Sequence, residues 1–285
     1  YLQGKYDEAI KAYNEAIRLY PEYANAWNSK GYALYSQGNY DEAIKAYNEA
    51  IRLDPEFMWP WRNKGDTLFS QGKYELAIYA YDEAIRLNPE DLNSWINKGA
   101  ALYRLGKYDE AIRASNEAIR LDPENVYAWH NKGVALNSQG KYDEAIQAYD
   151  EAIRLSPEYA DAWNRKGEAL LHQGKYDEAI QASNEAISLD PENANGWNIK
   201  GVALYNRGKS DEAIKAYDEA IRLSPEYADA WNNKGLSLKS QGKYDEAIQT
   251  FNETIRLDPE HVAAWYNKGL TLNNQGKYDE PSKIR

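Results

Sequence analysis

The sequence predicts an all-α fold built from repeated helix–turn–helix units, and three observations support this prediction. Tryptophan, glycine and proline each recur in steps of 34 residues along the 285-residue chain. The tryptophans of this series are Trp27, Trp61, Trp95, Trp129, Trp163, Trp197, Trp231 and Trp265. Between these markers, apolar residues recur at the three- and four-residue spacing of amphipathic helices. A fixed period of this size is typical of a stacked repeat array.

The same period defines the repeat boundaries. Counted from Ala24 as the first position, the complete repeats are 24–57, 58–91, 92–125, 126–159, 160–193, 194–227 and 228–261. Residues 1–23 form the second half of an earlier repeat, and residues 262–285 form the first part of a later one. Because the chain begins and ends inside repeats and does not start with Met, we expect a piece of a longer array, folded as one solenoid domain over 1–285.

The repeat 92–125 illustrates how each copy forms two helices. Gly106 is placed to end the first helix, since glycine adopts a left-handed conformation at little cost. Asp109 and Glu110 then fall in the first turn of the second helix, where carboxylates complement the helix dipole. Asp122-Pro123 ends that helix, because a residue before proline avoids the α region. We also expect this Asp to cap the next helix, with Pro123 at its first position.

Several repeated residues have packing explanations. Gly99 lies inside the first helix, where glycine costs about 1 kcal/mol relative to alanine. Its recurrence in every copy indicates a close helix crossing that a side chain would obstruct. Ala111 and Ala118 lie on one face of the second helix and allow close approach of its neighbours. Trp95 and Tyr108 supply large apolar groups, whose burial contributes a few kcal/mol each.

These positions together resemble the tetratricopeptide repeat (TPR) family. The matching residues of one copy are Trp95, Gly99, Leu102, Gly106, Tyr108, Ala111, Ala118 and Pro123. The resemblance implies a right-handed superhelical solenoid of antiparallel helix pairs, an alpha-alpha superhelix with 34-residue repeats. It further implies that first helices line a concave, ligand-binding channel and that second helices form the outside.

The chain departs from the family pattern at several positions. Lysine precedes the first glycine in every copy, as at Lys98, either to cover apolar surface with its stem or to read a ligand. Ser115 and Ser183 replace an aromatic residue, which predicts local underpacking. Ser210 replaces a tyrosine of other copies. Pro281 stands where other copies have alanine and should prevent a normal second helix there.

One face of the first helices varies between copies and is therefore not dictated by packing. It comprises repeat positions 2, 5, 6, 9, 12 and 13, spaced by three and four. Trp61, at position 4, belongs to the scaffold, whereas Trp59, at position 2, belongs to the variable face, with Pro60 tolerated in the first helical turn. The aromatic residues predicted to bind a ligand on this face are Tyr32, Tyr35, Trp59, Phe69, Tyr103 and Tyr127. The alternative is that these rings pack on one another and on adjacent helices.

Asparagine is the second feature of the variable face. At position 6 the chain carries Asn63, Asn97, Asn131, Asn233 and Asn267. An asparagine amide offers both a donor and an acceptor, which matches a peptide bond. The row resembles the asparagine ladder by which members of the family hold an extended peptide, although Ser29, Arg165 and Ile199 interrupt it. The alternative is that these amides only solvate an exposed helix.

Composition and motifs argue against other classes of function. The net charge of −11 opposes a nucleic-acid ligand, which needs a basic face. The absence of cysteine excludes disulfides and thiolate chemistry. The three histidines fall at unrelated repeat positions, and there is no phosphate loop, metal motif or nucleophile elbow. We therefore expect no enzyme activity, no cofactor and no metal, and the basic residues of the family's clamp for acidic chaperone tails are also missing.

Two functions remain. The first is a protein–protein interaction scaffold that binds an extended peptide or protein segment along the concave channel. The second is head-to-tail self-association, because the terminal half-repeats, with helices near residues 6–19 and 264–275, each lack a partner helix. No apolar run of membrane-spanning length and no signal peptide is visible, and we expect a cytoplasmic location.

Overall fold

The computed structural model describes residues 2–276, and every regular element within this range is an α-helix. The chain divides into two compact units, unit 1 over residues 1–141 and unit 2 over residues 142–285. The helices of unit 1 are α1 (Leu2–Leu19), α2 (Ala24–Ser36), α3 (Tyr40–Leu53), α4 (Met58–Ser70), α5 (Tyr74–Leu87), α6 (Leu92–Arg104), α7 (Tyr108–Leu121) and α8 (Val126–Ser138). The helices of unit 2 are α9 (Tyr142–Leu155), α10 (Ala160–His172), α11 (Tyr176–Leu189), α12 (Ala194–Asn206), α13 (Ser210–Leu223), α14 (Ala228–Ser240), α15 (Tyr244–Leu257) and α16 (Val262–Asn274).

Within each unit the helices form stacked pairs. Each even-numbered helix is the first helix of a repeat, and it packs against the adjacent second helices of its own unit. First helices of successive repeats also contact one another, as α2 does with α4, whereas no two second helices are in contact among the described residues. First helices therefore lie on the inner side of each stack. This arrangement confirms the predicted fold class, all-α of the alpha-alpha superhelix type.

The helix ends follow the predicted signals in most respects. Gly106 has φ +72° just beyond the end of α6, a backbone conformation that glycine adopts without a Cβ clash. Asp109 and Glu110 lie in the first turn of α7, and Arg120 lies in its last turn. These charges complement the dipole of α7.

The predicted cap by Asp122 is wrong. Asp122 is extended, with φ −142° and ψ 94°, and its Oδ1 accepts the N–H of Glu124 at 3.0 Å inside a turn. That turn separates Pro123 from α8, which begins at Val126. The N-cap is Asn125, whose Oδ1 accepts the N–H of Ala128 at 3.1 Å. The Asp-Pro-Glu segment therefore ends one helix and forms the turn, and the residue after it caps the next helix.

The glycine at position 8 makes room for an aromatic ring of its own repeat. A Cβ on Gly65 would lie 2.5 Å from Cε1 of Tyr81, a fully buried side chain. Gly99 differs, because Ser115 replaces the tyrosine and a Cβ there would lie 3.4 Å from Ser115 Oγ. The predicted close crossing is thus a crossing over a ring, and it depends on which residue occupies position 24.

The serine substitutions have local consequences. Ser183 is fully buried and donates to the carbonyl of Ala179 at 2.8 Å. Ile199 of the next repeat is also buried, and its Cγ2 and Ser183 Oγ would both lie 3.3 Å from a Cβ on Gly167. Ile199 thus fills space beside Ser183, and the expected underpacking is not found there.

Ser210 and Pro281 are the other two departures from the family pattern. Ser210 Oγ lies 3.0 Å from Ser240 Oγ of the next repeat, so this position retains a contact between repeats. Pro281 lies outside the described residues.

Tryptophan and lysine form a repeated pair beside the second helices. Each tryptophan of the 34-residue series except Trp61 donates its indole N–H to the carbonyl of the proline six residues earlier, at 2.9–3.3 Å. In all eight copies, Trp61 included, the lysine three residues after the tryptophan places Nζ 5.1–5.6 Å from the ring centroid. Lys98 also pairs with Asp82 of the preceding second helix. These contacts favour the packing interpretation of the lysine series.

A side-chain hydrogen bond between consecutive repeats was not anticipated. A glutamine at the end of a first helix donates Nε2 to an aspartate at the start of the preceding second helix, at 2.7–2.9 Å. The pairs are Gln37–Asp7, Gln71–Asp41, Gln139–Asp109, Gln173–Asp143, Gln241–Asp211 and Gln275–Asp245. These aspartates therefore link repeats as well as complementing helix dipoles.

Candidate functional site

The residues predicted to bind a ligand all lie on first helices. In unit 1 they are Tyr32 and Tyr35 on α2, Trp59, Asn63 and Phe69 on α4, Asn97 and Tyr103 on α6, and Tyr127 and Asn131 on α8. In unit 2 they are Asn233 on α14 and Asn267 on α16. These first helices lie on the inner side of each stack, and consensus residues such as Trp61 and Leu68 pack with residues of the second helices.

Unit 1 contains a pocket of about 310 Å³ on this inner side. Its lining residues are Tyr35, Asp66, Phe69, Ser70, Tyr81 and Asn97. The pocket brings together three predicted residues from three consecutive first helices. Tyr32, Trp59, Tyr103 and Tyr127 are not among the residues that line it.

Asp66 forms the polar centre of this pocket. Its Oδ1 accepts a hydrogen bond from the Tyr81 hydroxyl at 2.9 Å and another from Asn97 Nδ2 at 2.8 Å. Burial raises the pKa of Asp66, while the two hydrogen bonds and the charge of Arg62 act in the opposite direction. Burial also raises the pKa of Tyr81, and the adjacent carboxylate adds to that shift. The tyrosine therefore remains a donor to Asp66 at neutral pH.

One rim of the pocket is set by hydroxyl groups. Ser70 donates to the main-chain carbonyl of Asp66 at 2.9 Å, so its proton is used within α4. The hydroxyl of Tyr35 lies 3.3 Å from Ser70 Oγ and therefore acts as the donor of that contact. The ring of Tyr35 packs against Tyr40 of the same repeat, with centroids 5.7 Å apart. These contacts hold the Tyr35 ring at the pocket.

Phe69 and Tyr103 are also fixed by neighbouring rings. Phe69 meets the edge of Tyr74 at 5.3 Å between centroids, and Tyr103 lies 5.7 Å from Tyr108. In both cases the partner begins the second helix of the same repeat. These contacts agree with the alternative that the aromatic rings pack on adjacent helices, and the ligand-binding patch stays a prediction. One side of each ring packs on the scaffold, and Phe69 also lines the pocket.

Trp59 is placed by an arginine and an ion pair. The guanidinium of Arg62 lies over the Trp59 ring, 4.2 Å from its centroid, and Trp59 is 45% exposed. Arg62 Nη1 is 3.1 Å from Asp91 Oδ1, and the carboxylate of Asp91 also caps α6 through the N–H of Ser94. The cation–π contact and the partly buried pair hold the indole in a defined orientation.

Tyr32 and Tyr127 are the most exposed of the predicted aromatics. Tyr32 is 56% exposed, with its ring 6.5 Å from that of Tyr35, and Tyr127 is 61% exposed. Exposed aromatic side chains of this kind are frequent in binding surfaces because they offer large contact area with few rotatable bonds.

The asparagine series is partly used inside the fold. Asn63 Nδ2 donates to Asn28 Oδ1 of the preceding repeat at 3.0 Å. The same bond joins Asn233 to Asn198 at 3.1 Å and Asn267 to Asn232 at 3.2 Å. Since an amide group has two donors and two acceptor lone pairs, each position-6 asparagine keeps capacity for a further partner. Asn97 donates to Asp66 instead, and Asn131 is half-buried on α8.

Sequence reasoning missed the importance of Asp66, Ser70 and Tyr81. Asp66 carried a recognisable signal, since position 9 of the other repeats in unit 1 is Tyr32, Ala100 and Val134. Tyr81 carried none, because it occupies a consensus core position. Its hydroxyl reaches the inner side only because the ring crosses Gly65.

Other chemical features of the described residues are structural. His261 caps α16 through the N–H of Ala264 and lies 3.1 Å from Asp229, while His172 stacks on Tyr142 at 4.9 Å. Within residues 2–276 there is no group of three histidine, cysteine or acidic residues suited to hold a metal ion. None of the described helices combines the length and the apolar character needed to cross a bilayer.

Stacked helical hairpins with an inner pocket and a set of fixed aromatic rings define a helical repeat scaffold. A family model for the tetratricopeptide repeat matches residues 2–56, 96–159, 132–194, 199–256 and 232–280, and a second TPR model matches residues 65–106. The chain belongs to the tetratricopeptide repeat family. Members of this family are generally non-catalytic scaffolds. The chain is a scaffold for protein–protein interaction.

Solved structures of TPR proteins share the fold. The crystal structure of the APC/C hetero-tetramer Cut9–Hcn1 matches with a TM-score of 0.71 and 18% identity, covering 94% of this chain and 52% of that chain. This chain therefore spans about half the length of that one. A tetratricopeptide repeat protein from Parabacteroides merdae matches with a TM-score of 0.70 and 19% identity, over 88% of this chain and 99% of that one.

YrrB, described as a TPR protein with an unusual peptide-binding site, matches with a TM-score of 0.54 and 24% identity. The match covers 67% of this chain and 99% of that chain. No curated protein sequence matches the chain. At these identities the similarity concerns the fold.

Proposed function

We propose that the inner face of unit 1 binds an extended peptide or protein segment, with the pocket between α2, α4 and α6 as its anchoring point. The observation that carries this proposal is the pocket itself, in which Tyr35, Phe69 and Asn97 from three consecutive repeats meet around Asp66. A groove with fixed aromatic walls and a few polar groups is the usual composition of a ligand site.

The flanking residues support an extended ligand. Trp59 is held by Arg62 and remains 45% exposed, and Tyr127 is 61% exposed on the next first helix but one. Position-6 asparagines such as Asn63 keep amide capacity for the main chain of a ligand. The peptide-binding site reported for YrrB supports the same class of ligand for a related fold.

Binding selections test this proposal. Peptides would be selected from a random displayed library on the intact chain, and their affinities measured by fluorescence anisotropy. We expect Trp59→Ala, Phe69→Ala and Asn97→Ala each to weaken binding about tenfold or more, as hot-spot residues do. Tyr205→Ala is the matched control, since Tyr205 occupies the repeat position of Phe69 on α12 of unit 2.

Circular dichroism would verify that each variant is folded. Affinities unchanged by all three inner-face variants would place the binding surface elsewhere and overturn the proposal.

Self-association is a second candidate function. Apolar side chains of α16 are exposed, with Val262 at 80%, Trp265 at 52% and Tyr266 at 67%, and Leu19 of α1 is 73% exposed. We propose that these surfaces pair between copies of the chain, which would give a non-closing, head-to-tail contact. Light scattering over a concentration series should give a rising mean mass, which Val262→Asp with Tyr266→Lys abolishes. A constant monomer mass at every concentration would remove this candidate.

A further inference from the structure

The carboxylate of Asp66 faces a pocket without a cation in contact with it. Both of its hydrogen bonds fall on Oδ1, from Tyr81 and Asn97, and no hydrogen bond from the described residues reaches Oδ2. The nearest described cation, Arg62, is paired with Asp91 at 3.1 Å and lies over the Trp59 ring. The group of Asp66, Asp91 and Arg62 therefore carries one more negative than positive charge.

The aromatic walls of the pocket, like the Asp66 carboxylate, favour a positively charged group. The rings of Tyr35, from α2, and Phe69, from α4, line the pocket together with Asp66. Aromatic faces attract ammonium and guanidinium groups, and the attraction grows when the cation is partly removed from water. The Tyr35 hydroxyl donates its proton to Ser70 Oγ, and Ser70 donates its own to the main-chain carbonyl of Asp66. Both hydroxyl oxygens therefore face the rim with acceptor lone pairs.

The size of the pocket limits what can enter. At about 310 Å³ it lies at the lower end of the range for small-molecule sites, which is about 300–1,000 Å³. This volume suits one side chain of a bound segment. An acidic side chain would meet the like charge of Asp66, and an aliphatic one would leave the carboxylate without a counter-charge in a partly dehydrated site.

The corresponding acidic residue of unit 2 is already paired. Glu168 occupies the same repeat position as Asp66, and its Oε2 lies 3.3 Å from Arg165 Nη1. A ligand cation would gain less there, since the charge of Glu168 is offset within the protein. Glu168 is therefore the matched control for Asp66.

We propose that the Asp66 pocket is a subsite for a basic side chain, lysine or arginine, of the segment bound along the inner face. This inference rests on the proposed peptide-binding function and adds the chemical class of one ligand residue. Asp66 supplies the charge, Tyr35 and Phe69 supply the aromatic walls, and Tyr81 and Asn97 hold the carboxylate in place. The variant Asp66→Asn retains an acceptor for both hydrogen bonds, removes the charge and replaces the second carboxylate oxygen by an NH2 group.

A titration with single amino-acid derivatives tests the subsite directly. N-acetyl-lysine methylamide, N-acetyl-arginine methylamide and the neutral N-acetyl-norleucine methylamide would be titrated into the 15N-labelled intact chain. The side-chain amide resonances of Asn97, assigned with Asn97→Gln, report on the pocket. We expect saturable shifts with the lysine and arginine derivatives and none with norleucine. Asp66→Asn should abolish these shifts, and Glu168→Gln should retain them.

Equal shifts with norleucine, or shifts that persist in Asp66→Asn, would overturn the subsite. Absence of any shift with both cationic derivatives at the highest concentration would overturn it as well. The comparison of lysine with norleucine uses the unaltered protein and does not depend on the folding of a variant.

Peptide selection separates this inference from the proposed function. Peptides selected on the intact chain should share a lysine or arginine at one position, and selection on Asp66→Asn should lose that preference while still yielding binders. Binders that depend on Trp59 and Phe69 but show no basic preference would refute the subsite and leave the peptide-binding function intact. Basic preference without dependence on Trp59, Phe69 or Asn97 would refute both.

Discussion

The environment of the glycine at position 8 depends on which residue occupies position 24 of the same repeat. At Gly65 an added methyl group would meet the buried ring of Tyr81, which is held by its hydrogen bond to Asp66. At Gly99 the same methyl group would find ordinary contact distances of 3.4–3.6 Å to Ser115, Ala111 and Ala114. The two glycines share a sequence pattern, yet their tolerance of alanine should be opposite.

We predict that Gly65→Ala lowers the free energy of unfolding by about 1–3 kcal/mol, the usual cost of overpacking a core. Gly99→Ala should instead leave it unchanged or raise it by up to about 1 kcal/mol, because alanine is the better helix former. Urea denaturation followed by circular dichroism measures both. Equal destabilisation by the two substitutions would show that the ring is not the reason for the glycine.

Asp66 should oppose folding at neutral pH. Its pKa is raised in the folded state, so the folded chain binds this proton more tightly than the unfolded chain does. The resulting stabilisation is present at low pH and is lost as the pH rises through the folded-state pKa. We predict that Asp66→Asn is at least as stable as the parent at pH 7, with its relative advantage decreasing toward pH 3.

Denaturation curves at pH 7, 5 and 3 would check this prediction. A variant that is less stable than the parent at pH 7 and gains relative stability as the pH falls would contradict the assigned direction. Together with the subsite inference, the expected result would mean that a binding group is retained at some cost in stability.

At the scale of helices, the packing of one repeat on the next depends on pairs of residues from the two repeats, as at Ser183 and Ile199. Ile199 stands at a position that most often carries asparagine, and Ser183 at one that most often carries tyrosine. Both lie beside Gly167, where a Cβ would be 3.3 Å from each of them. Tyr217 and Asn233 have the common arrangement two helices further along. The two departures at one junction therefore act as a compensating pair, in which the isoleucine occupies space that the tyrosine ring fills elsewhere.

We predict strong coupling between these two positions. Ile199→Asn alone should cost about 2–5 kcal/mol, because it removes a buried aliphatic group and leaves an amide in its place. Ser183→Tyr alone should cost about 1–3 kcal/mol through overpacking against Ile199. The double substitution restores the common pair and should be much less destabilising than the sum. A double-mutant cycle on unfolding free energies measures the coupling, and additive effects would disprove the compensation.

The whole molecule should respond locally to damage, because each repeat contacts only its neighbours along the stack. Stability is then distributed over the junctions. Six of them have a glutamine–aspartate hydrogen bond, and the repeats with an aromatic residue at position 24 add a crossing of its ring over a glycine. Loss of one crossing should loosen the adjacent helices and leave distant ones as they were.

Hydrogen exchange measured by mass spectrometry tests this expectation. We predict that Gly65→Ala raises exchange in α4 and α5 and their neighbours α3 and α6, with α12 to α14 unchanged. Gly201→Ala, which would clash with Tyr217 in unit 2, should give the reverse pattern. Uniformly faster exchange through the whole chain in both variants would indicate a single cooperative unit instead.

The sequence by itself determined the fold class and the family. Periodicity, the left-handed glycines and the dipole charges are local signals, and the structure agrees with them because neighbouring copies repeat the same local choices. The same signals separated Trp61 from Trp59, since residues two apart on a helix face different ways.

Only the tertiary structure decided which side chains of the inner face form hydrogen bonds with one another. Tyr81 belongs to the core pattern, and its hydroxyl reaches Asp66 because the ring passes over Gly65 of the same first helix, α4. Asn63 and Asn233 each bond to an asparagine of the preceding repeat, because the spacing of these amides across helices depends on how the helix pairs stack. Such contacts join residues 15 to 35 positions apart, and the local pattern does not encode their distances.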